Sequence, residues 1–128
     1  MTTALADTTV VIHLYRRYAP ALTWDGSLSQ PLSITPITWM EVMYGAGSKS
    51  GQQACEVIMQ QFELIPLLPE DQNWAMQQLK THRLSQSIAI MDCLIASVAF
   101  RLRVPFYTHN LKDMKILLGD SLPVKPYL

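Results

Sequence analysis

The sequence predicts an α/β fold in which helices cover both faces of a parallel sheet. Short apolar stretches suited to buried strands alternate with longer segments of helical periodicity, an order typical of βαβ units. The chain has 128 residues, of which 49% are hydrophobic, and this is enough for one compact core. The pattern contains neither an internal repeat nor a linker, so we expect a single domain over residues 1–128.

The first predicted element is a short buried strand at Ala4–Ala6. After Asp7 the apolar residues follow helical spacing as far as Tyr15, which predicts a helix. Ala19-Pro20 and Asp25-Gly26-Ser27 have the composition of turns. We therefore expect a strand, then a helix, then an irregular connection.

A second strand and a second helix follow this connection. Leu32–Thr35 predicts the strand, and Pro36 suits the first turn of a helix. That helix is expected to run through Met43 and to stop near Gly45-Ala46-Gly47, a C-cap signal. Gly51–Phe62 is again helical in its pattern.

A third strand is predicted at Leu64–Leu67, and Pro66 and Pro69 confine it to an edge or an end of the sheet. Glu70–Arg83 predicts an amphipathic helix. Ile88–Arg103 predicts the most apolar helix of the chain, which we expect at the centre of the fold.

The last elements are predicted to be one more strand and one more helix. Val104–Thr108 predicts the strand and Leu111–Leu118 a short helix. Gly119–Pro123 has the composition of a turn, and a final extended segment leads to Pro126.

Charge and cysteine content narrow the class of protein. Lys plus Arg and Asp plus Glu are both ten, so the total charge does not indicate a strongly basic nucleic-acid binder. Cys55 and Cys93 lie in no metal-binding or disulfide pattern, which suits a reducing compartment. The N-terminus lacks a basic signal-peptide region, and no apolar run reaches the roughly 20 residues of a membrane helix. We expect a soluble cytoplasmic protein without a membrane partner.

One carboxylate stands inside the apolar segment IAIMDCLIASVAF, residues 88–100. All of its positions are apolar except Asp92 and Ser97. Isolating an ionised carboxylate from water costs many kcal/mol unless a cation, a metal or several donors compensate it. The segment therefore indicates that Asp92 has a partner elsewhere in the molecule.

Other acids are predicted to lie at the same edge of the sheet, where the carboxyl ends of parallel strands place the chemistry of open α/β folds. One acid follows the first strand, one lies in the first two turns of the helix after the second strand, one lies early in the apolar helix and one follows the last predicted strand. These acids are Asp7, Glu41, Asp92 and Asp113. A divalent cation shared among them is the partner that this placement suggests.

The order of these motifs resembles that of PIN domains, and most of all the small single-domain VapC-type toxins of toxin–antitoxin systems. The motifs are Asp7-Thr8-Thr9-Val10-Val11-Ile12, Thr38-x-x-Glu41-x-x-x-Gly45, Asp92-x-x-Ile95-Ala96 and Thr108-x-Asn110-x-x-Asp113. Two positions depart from the family pattern: Thr9 stands where Asn is usual, and Met114 where an aromatic residue commonly follows the last Asp. Neither departure removes a carboxylate.

The resemblance implies a three-layer α/β/α PIN-like fold with a central parallel sheet of four to five strands. It also implies a Mg²⁺- or Mn²⁺-dependent endoribonuclease, and carboxylate oxygens suit both ions. The direct metal ligands would be Asp7 and Asp92, while Glu41 and Asp113 would hold metal-bound waters or a second ion. Thr108 and Asn110 would orient the acids or the attacking water, which completes the expected catalytic set.

An RNA substrate and two protein partners are also expected. Apart from the four acids, the chain has ten basic and six acidic residues, and this excess of positive charge is compatible with phosphate contact. The candidate substrate-binding residues are Arg16, Arg17, His109 and Lys112. The resemblance implies a VapB-like antitoxin and a homodimer. Among the apolar residues that suit either the core or such a contact are Trp39, Met40, Met43 and Tyr44.

Each acid also has a purely structural interpretation. Asp7 suits an N-cap, and Thr38-x-x-Glu41 matches a capping box. Asp92 would be a cap if its helix began at Cys93, and Asp113 would be a solvated charge or the partner of a cap. Two other functions also stay open: an RNA-processing PIN-like nuclease outside a toxin–antitoxin system, and a PIN-like module that binds RNA or protein without catalysis.

Overall fold

The computed structural model describes residues 2–128, and Met1, the first residue of the predicted domain, lies outside this range. Within residues 2–128 the chain forms five strands and seven helices. The strands are β1 (Leu5–Ala6), β2 (Ser33–Ile34), β3 (Glu63–Leu64), β4 (Phe106–Tyr107) and β5 (Pro123–Val124). The helices are α1 (Thr8–Tyr15), α2 (Ala19–Gly26), α3 (Pro36–Tyr44), α4 (Lys49–Met59), α5 (Pro69–Gln86), α6 (Ile90–Leu102) and α7 (Leu111–Leu118).

The strands form one parallel sheet in the order β3-β2-β1-β4-β5. The chain moves outward from β1 to β3 and then returns to place β4 on the other side of β1. Such a reversal opens a crevice between the two strands at their carboxyl ends, where open α/β sheets bind ligands. The predicted α/β class and the parallel sheet of four to five strands are confirmed, with β3 and β5 at the edges.

Helices cover both faces of this sheet because successive strand residues point to opposite sides. Ala4 and Ala6 belong to one buried cluster, together with residues of α1 to α4. Leu5 and Phe106 belong to a second cluster, with residues of α5 to α7. The layers are therefore helix, sheet and helix, as the sequence predicts.

The prediction of turns between residues 19 and 27 is wrong, because the chain forms helix α2 there. Pro20 lies in the first turn of α2, where its missing N–H breaks no intrahelical hydrogen bond. Ala21 is buried, and Trp24 packs against the same core as α1. This burial stabilises a helix that a Pro and a Gly disfavour locally.

The third strand lies at Glu63–Leu64, so its predicted position at residues 64–67 is shifted. Pairing with β2 uses the N–H groups of Glu63 and Ile65, which donate to Leu32 O and Ile34 O. Pro66 has no N–H to continue the ladder and ends the strand. The predicted position of this strand at an edge of the sheet is confirmed.

Several helix ends also differ from prediction. Helix α4 begins after Ser48, whose hydroxyl accepts from Gly51 N, and α5 continues to Gln86. Helix α6 begins at Ile90 and packs between α5 and α7. Among the described residues, no helix combines the length and the apolar character that crossing a bilayer requires.

Candidate active site

Asp7 lies at the crevice between β1 and β4 and is 7% exposed. It is the N-cap of α1: its Oδ1 accepts from Thr8 N at 2.8 Å. Its Oδ2 accepts from the Thr108 hydroxyl at 2.7 Å, which joins the ends of the two central strands. Burial raises the pKa of Asp7, and the hydrogen bonds from Thr108 and Thr8 oppose this rise. Asp7 therefore caps helix α1 and also lies at the candidate site, so its two interpretations are compatible.

Thr108 and Asn110 link Asp7 to two further acids. The buried Thr108 hydroxyl accepts from Asn110 N at 3.0 Å while it donates to Asp7. The Asn110 side-chain amide donates to Asp92 Oδ2 at 3.4 Å and to Asp113 Oδ2 at 3.2 Å. The loop after β4 thus holds three carboxylates through neutral hydrogen-bond donors.

Glu41 reaches the same place from α3. Its Oε1 accepts from the Thr8 hydroxyl at 2.6 Å, and that hydroxyl lies 3.0 Å from the Thr38 hydroxyl. The capping-box interpretation is wrong, because Thr35 caps α3 and accepts from Thr38 N. Thr8 and Thr38 were not predicted to be site residues, although each carries a hydroxyl within one helical turn of a motif acid.

Asp92 lies in the first turn of α6, whose N-cap is Ala89, so the interpretation of Asp92 as a cap is wrong. The Asp92 side chain is only partly buried. Burial raises the pKa of Asp92 to about 6, with further contributions from the nearby charges of Asp7, Asp113 and Glu41. The four predicted acids are therefore close enough to interact electrostatically.

The donor chemistry of this cluster fits a hard divalent cation, since all four side chains offer carboxylate oxygens. Within residues 2–128, however, no three His, Cys, Asp or Glu side chains form a ready-made metal-binding group. Asp7 and Glu41 are directed towards the hydroxyls of Thr108 and Thr8, and Asn110 bridges the other two acids. Rotation of these side chains would have to accompany cation binding.

The predicted substrate-binding residues lie in two segments of the chain, at the end of α1 and around the start of α7. Arg16 and Arg17 follow the last residue of α1, while Asp7 precedes the first, so about 12 Å of helix separates them. Lys112 is exposed on α7. Lys112 directly precedes Asp113, and His109 lies between Thr108 and Asn110, so both are neighbours of site residues in the sequence.

An open apolar groove of about 520 Å³ borders Glu41 and Thr8. Its other lining residues are Ile12, Ile37, Met40, Tyr44 and Met91. The core interpretation of α3 is wrong for Trp39, Met40 and Tyr44, which are exposed, whereas Met43 packs against the core. The helix therefore presents apolar side chains to solvent next to the acids.

The family model for the PIN domain matches residues 4–112. A search of curated protein sequences finds no significant match.

Several solved structures resemble the chain over nearly its full length. A toxin–antitoxin complex from Klebsiella pneumoniae is 26% identical, with 98% of each chain covered and a TM-score of 0.74. VapBC2 from Rickettsia felis, bound to a DNA fragment from its promoter, is 19% identical, covers 96% of this chain and 98% of its own, and gives a TM-score of 0.77. FitAcB from Neisseria gonorrhoeae is 18% identical, with 97% and 98% covered and a TM-score of 0.78.

Proposed function

Because this chain belongs to the PIN domain family, whose members are generally nucleases, we propose that it is a Mg²⁺- or Mn²⁺-dependent endoribonuclease and the toxin of a toxin–antitoxin pair. The observation that carries the proposal is the convergence of four acids from separate segments at the crevice between β1 and β4. Their mutual repulsion, added to burial, raises the pKa of Asp92 to about 6. The ionised carboxylates repel one another, and a bound cation would stabilise their ionised form.

In this proposal Asp7 and Asp92 hold the cation directly, and Glu41 and Asp113 hold water or a second ion. When bound, the cation would lower the pKa of water and offset the charge that develops on the phosphate. The chain itself fixes the acids: Thr8, Thr108 and Asn110 each donate to at least one of them. Such supporting hydrogen bonds hold the acids at the crevice, so that only their side chains have to rotate when the ion binds.

Glu41 and Asp113 can also position the attacking water. Glu41 Oε1 accepts from the Thr8 hydroxyl, and Asp113 Oδ2 accepts from the Asn110 amide. Within the described part of the chain, the second oxygen of each carboxylate has no hydrogen-bond donor. Each could therefore accept a proton from water at the entrance of the crevice.

The decisive experiment compares RNA and DNA of one sequence as substrates of the purified chain. With Mn²⁺ or Mg²⁺ we expect cleavage of the RNA and intact DNA, and with EDTA we expect no cleavage. Calorimetry should detect Mn²⁺ binding that Asp7→Asn weakens. Equal cleavage of DNA would contradict the RNA specificity. If the protein shows no cleavage and no Mn²⁺ binding, it is a module that only binds RNA or protein.

Replacing Thr108 by valine should weaken the site without changing its shape. The variant removes the hydroxyl that donates to Asp7 and accepts from Asn110 N, and loss of such a support typically reduces metal affinity or activity by about 10- to 100-fold. The buried, unsatisfied groups should also lower the free energy of unfolding by about 1–2 kcal/mol. Cleavage rates, Mn²⁺ calorimetry and urea denaturation measure these effects.

The matched control is Thr108→Ser, which keeps the hydroxyl and removes one methyl group. Its Mn²⁺ affinity should stay near that of the wild type. If the valine and serine variants have equal Mn²⁺ affinity and equal cleavage rates, the hydroxyl does not support the site.

The antitoxin in this proposal covers the apolar groove beside Glu41. Met40, Tyr44 and Met91 expose apolar surface there, and such a patch is typical of a protein contact. An antitoxin segment with apolar side chains for the groove and a basic residue for the acids would block the site. Size-exclusion chromatography with light scattering, with and without a co-expressed partner, tests both this complex and the expected homodimer.

A further inference from the structure

Three of the four acids are held by residues 108–110, which directly follow β4 and which we call the support loop. Thr108 donates to Asp7, and the side-chain amide of Asn110 donates to the two other acids. The conformation of the support loop therefore determines where these donors point. A contact that fixes the loop acts on the candidate active site.

The middle residue of the support loop, His109, packs its ring between two other rings. The ring centroids are 4.7 Å apart for His109 and Tyr127 and 5.1 Å apart for His109 and His13, and both pairs have edge-to-face geometry. The Nε2 atom of His109 is buried and has no hydrogen-bond partner within residues 2–128. Since no hydrogen bond at Nε2 holds the ring, its position depends on the packing of the neighbouring rings.

Tyr127 is itself fixed by contacts with two helices. Its hydroxyl lies 2.7 Å from Nδ1 of His13, which is in the last turn of α1. The centroid of its ring lies 5.6 Å from that of Trp24 on α2, and the ring packs against the buried cluster of α1 to α4. Tyr127 therefore offers His109 a ring whose own position is well determined.

The segment that carries Tyr127 meets the support loop at a second point. Thr108 N donates to Val124 O at 3.0 Å, next to the pairing of β4 with β5. Val124 ends β5 and lies three residues before Tyr127, so one short segment holds the loop at the Thr108 backbone and at the His109 ring. Only the ring contact depends on a side chain, so a substitution can remove it while the strands stay paired.

We propose that Tyr127 is a positioning residue of the candidate active site. Its ring holds His109, and His109 holds the support loop in the conformation in which Thr108 and Asn110 donate to the acids. The consequence for cation binding rests on the proposed function, whereas the effect on the loop itself does not.

Tyr18 supplies the control that separates positioning from a role in stability alone. Its ring lies 5.0 Å from His13 and 6.0 Å from Tyr127, and its hydroxyl donates to Leu128 O at 2.9 Å. Among the described residues, the ring contacts of His109 are with His13 and Tyr127 and not with Tyr18. Tyr127→Ala and Tyr18→Ala therefore remove the same side chain from neighbouring positions, but only Tyr127→Ala removes a ring that touches His109.

The first experiment measures hydrogen exchange of the Asn110 backbone amide by NMR in EDTA, so that no cation takes part. This N–H donates to the Thr108 hydroxyl at 3.0 Å and exchanges when the loop opens. Tyr127→Ala should speed its exchange by about 3- to 10-fold, the scale of one lost edge-to-face ring pair. Exchange of the Val98 amide, buried in α6, corrects for any loss of global stability.

The second experiment measures Mn²⁺ affinity by calorimetry. Tyr127→Ala should weaken Mn²⁺ binding by about 3- to 10-fold, less than the about 10- to 100-fold expected for a direct support such as Thr108. Tyr127→Phe keeps the ring against His109 and should restore most of the affinity and of the Asn110 protection. Tyr18→Ala should stay within about 2-fold of the wild type in both measurements, since the ring pairs of His109 are intact.

A double-mutant cycle tests whether Tyr127 acts through His109. His109→Ala should weaken Mn²⁺ binding by a similar factor, and Tyr127→Ala added to it should have little further effect, because the ring contact is already lost. Additive effects would mean that Tyr127 does not act through His109. Circular dichroism confirms that each variant folds; if Tyr127→Ala does not, Tyr127→Leu, which keeps apolar volume but removes the ring, takes its place.

The proposal is overturned if the Asn110 amide exchanges equally fast in Tyr127→Ala and Tyr18→Ala. If the wild type binds Mn²⁺ and Tyr127→Ala binds it as tightly, the ring does not position the acids, while the proposed cation site stands. If the wild type binds no Mn²⁺, the proposed function fails, and exchange of the Asn110 amide alone decides whether Tyr127 holds the support loop.

Discussion

Asp92→Asn is expected to reduce the rate of RNA cleavage by at least about 100-fold. The removal of one group that stabilises charge in a transition state lowers kcat by about this factor or more. Asparagine keeps the shape of the side chain but removes the negative charge that the proposed cation requires. The Asn110 amide that now donates to Asp92 Oδ2 can donate to the new amide oxygen instead. Single-turnover cleavage of RNA with saturating Mn²⁺ measures the effect.

The same substitution should stabilise the protein in EDTA at pH 8. The pKa of Asp92 is raised from 3.8 to about 6 in the folded state, so the folded protein retains a proton that the unfolded chain has lost. The wild type should therefore lose stability as the pH rises from 4 to 6, and the loss should persist above pH 6. Because the carboxylate is partly solvated, we expect a gain of only about 1 kcal/mol for Asp92→Asn.

Urea denaturation at pH 4 and pH 8 separates this effect from general stabilisation. The variant and the wild type should differ at pH 8 and should converge at pH 4, where the Asp92 carboxyl is largely protonated. The matched control is Asp120→Asn, an exposed acid beyond α7, which should leave both cleavage and stability unchanged. A variant that cleaves at the wild-type rate would remove Asp92 from the site.

Phe106→Ala should cause the largest loss of stability. Phe106 is fully buried on β4, the strand between β1 and β5, and it fills the cluster beneath α5 to α7. Truncation of a buried phenylalanine costs about 3–5 kcal/mol because transfer and cavity terms add. A domain of this size has only about 5–15 kcal/mol in total, so much of the folding free energy would be lost.

Thermal and urea denaturation monitored by circular dichroism measure this loss. Leu84→Ala serves as the control, because Leu84 is 99% exposed and its truncation should change stability by less than about 0.5 kcal/mol. Equal midpoints for the two variants would mean that the β4 side of the sheet is not the packed core described here.

Local signals in the sequence were sufficient where a segment is governed by its own pattern. Helix α7 begins and ends at the predicted residues, and Asp7 follows the first strand as expected. Helix α2 was missed because Pro20 and Gly26 resemble turn residues, and only the tertiary burial of Ala21 and Trp24 favours a helix there.

At the candidate site, too, some residues could be predicted from the sequence and others could not. Its acids were predicted because they fall near the carboxyl ends of the predicted strands, and because their order along the chain resembles that of a known family. Thr8 was missed because its contacts with Glu41 and Thr38 join residues 33 and 30 positions apart, and no local pattern reports such a pairing. The contact between His13 and Tyr127 was missed for the same reason, since it joins residues 114 positions apart.

The hydrogen bond between Asp7 and Thr108 joins residues 101 positions apart. During translation the first carboxylate leaves the ribosome long before the residue that holds it has been added. A ribosome that stalls within the intervening segment would release a fragment that cannot assemble the crevice. A protein proposed to attack RNA would therefore be inactive until the ribosome has added the segment that contains Thr108.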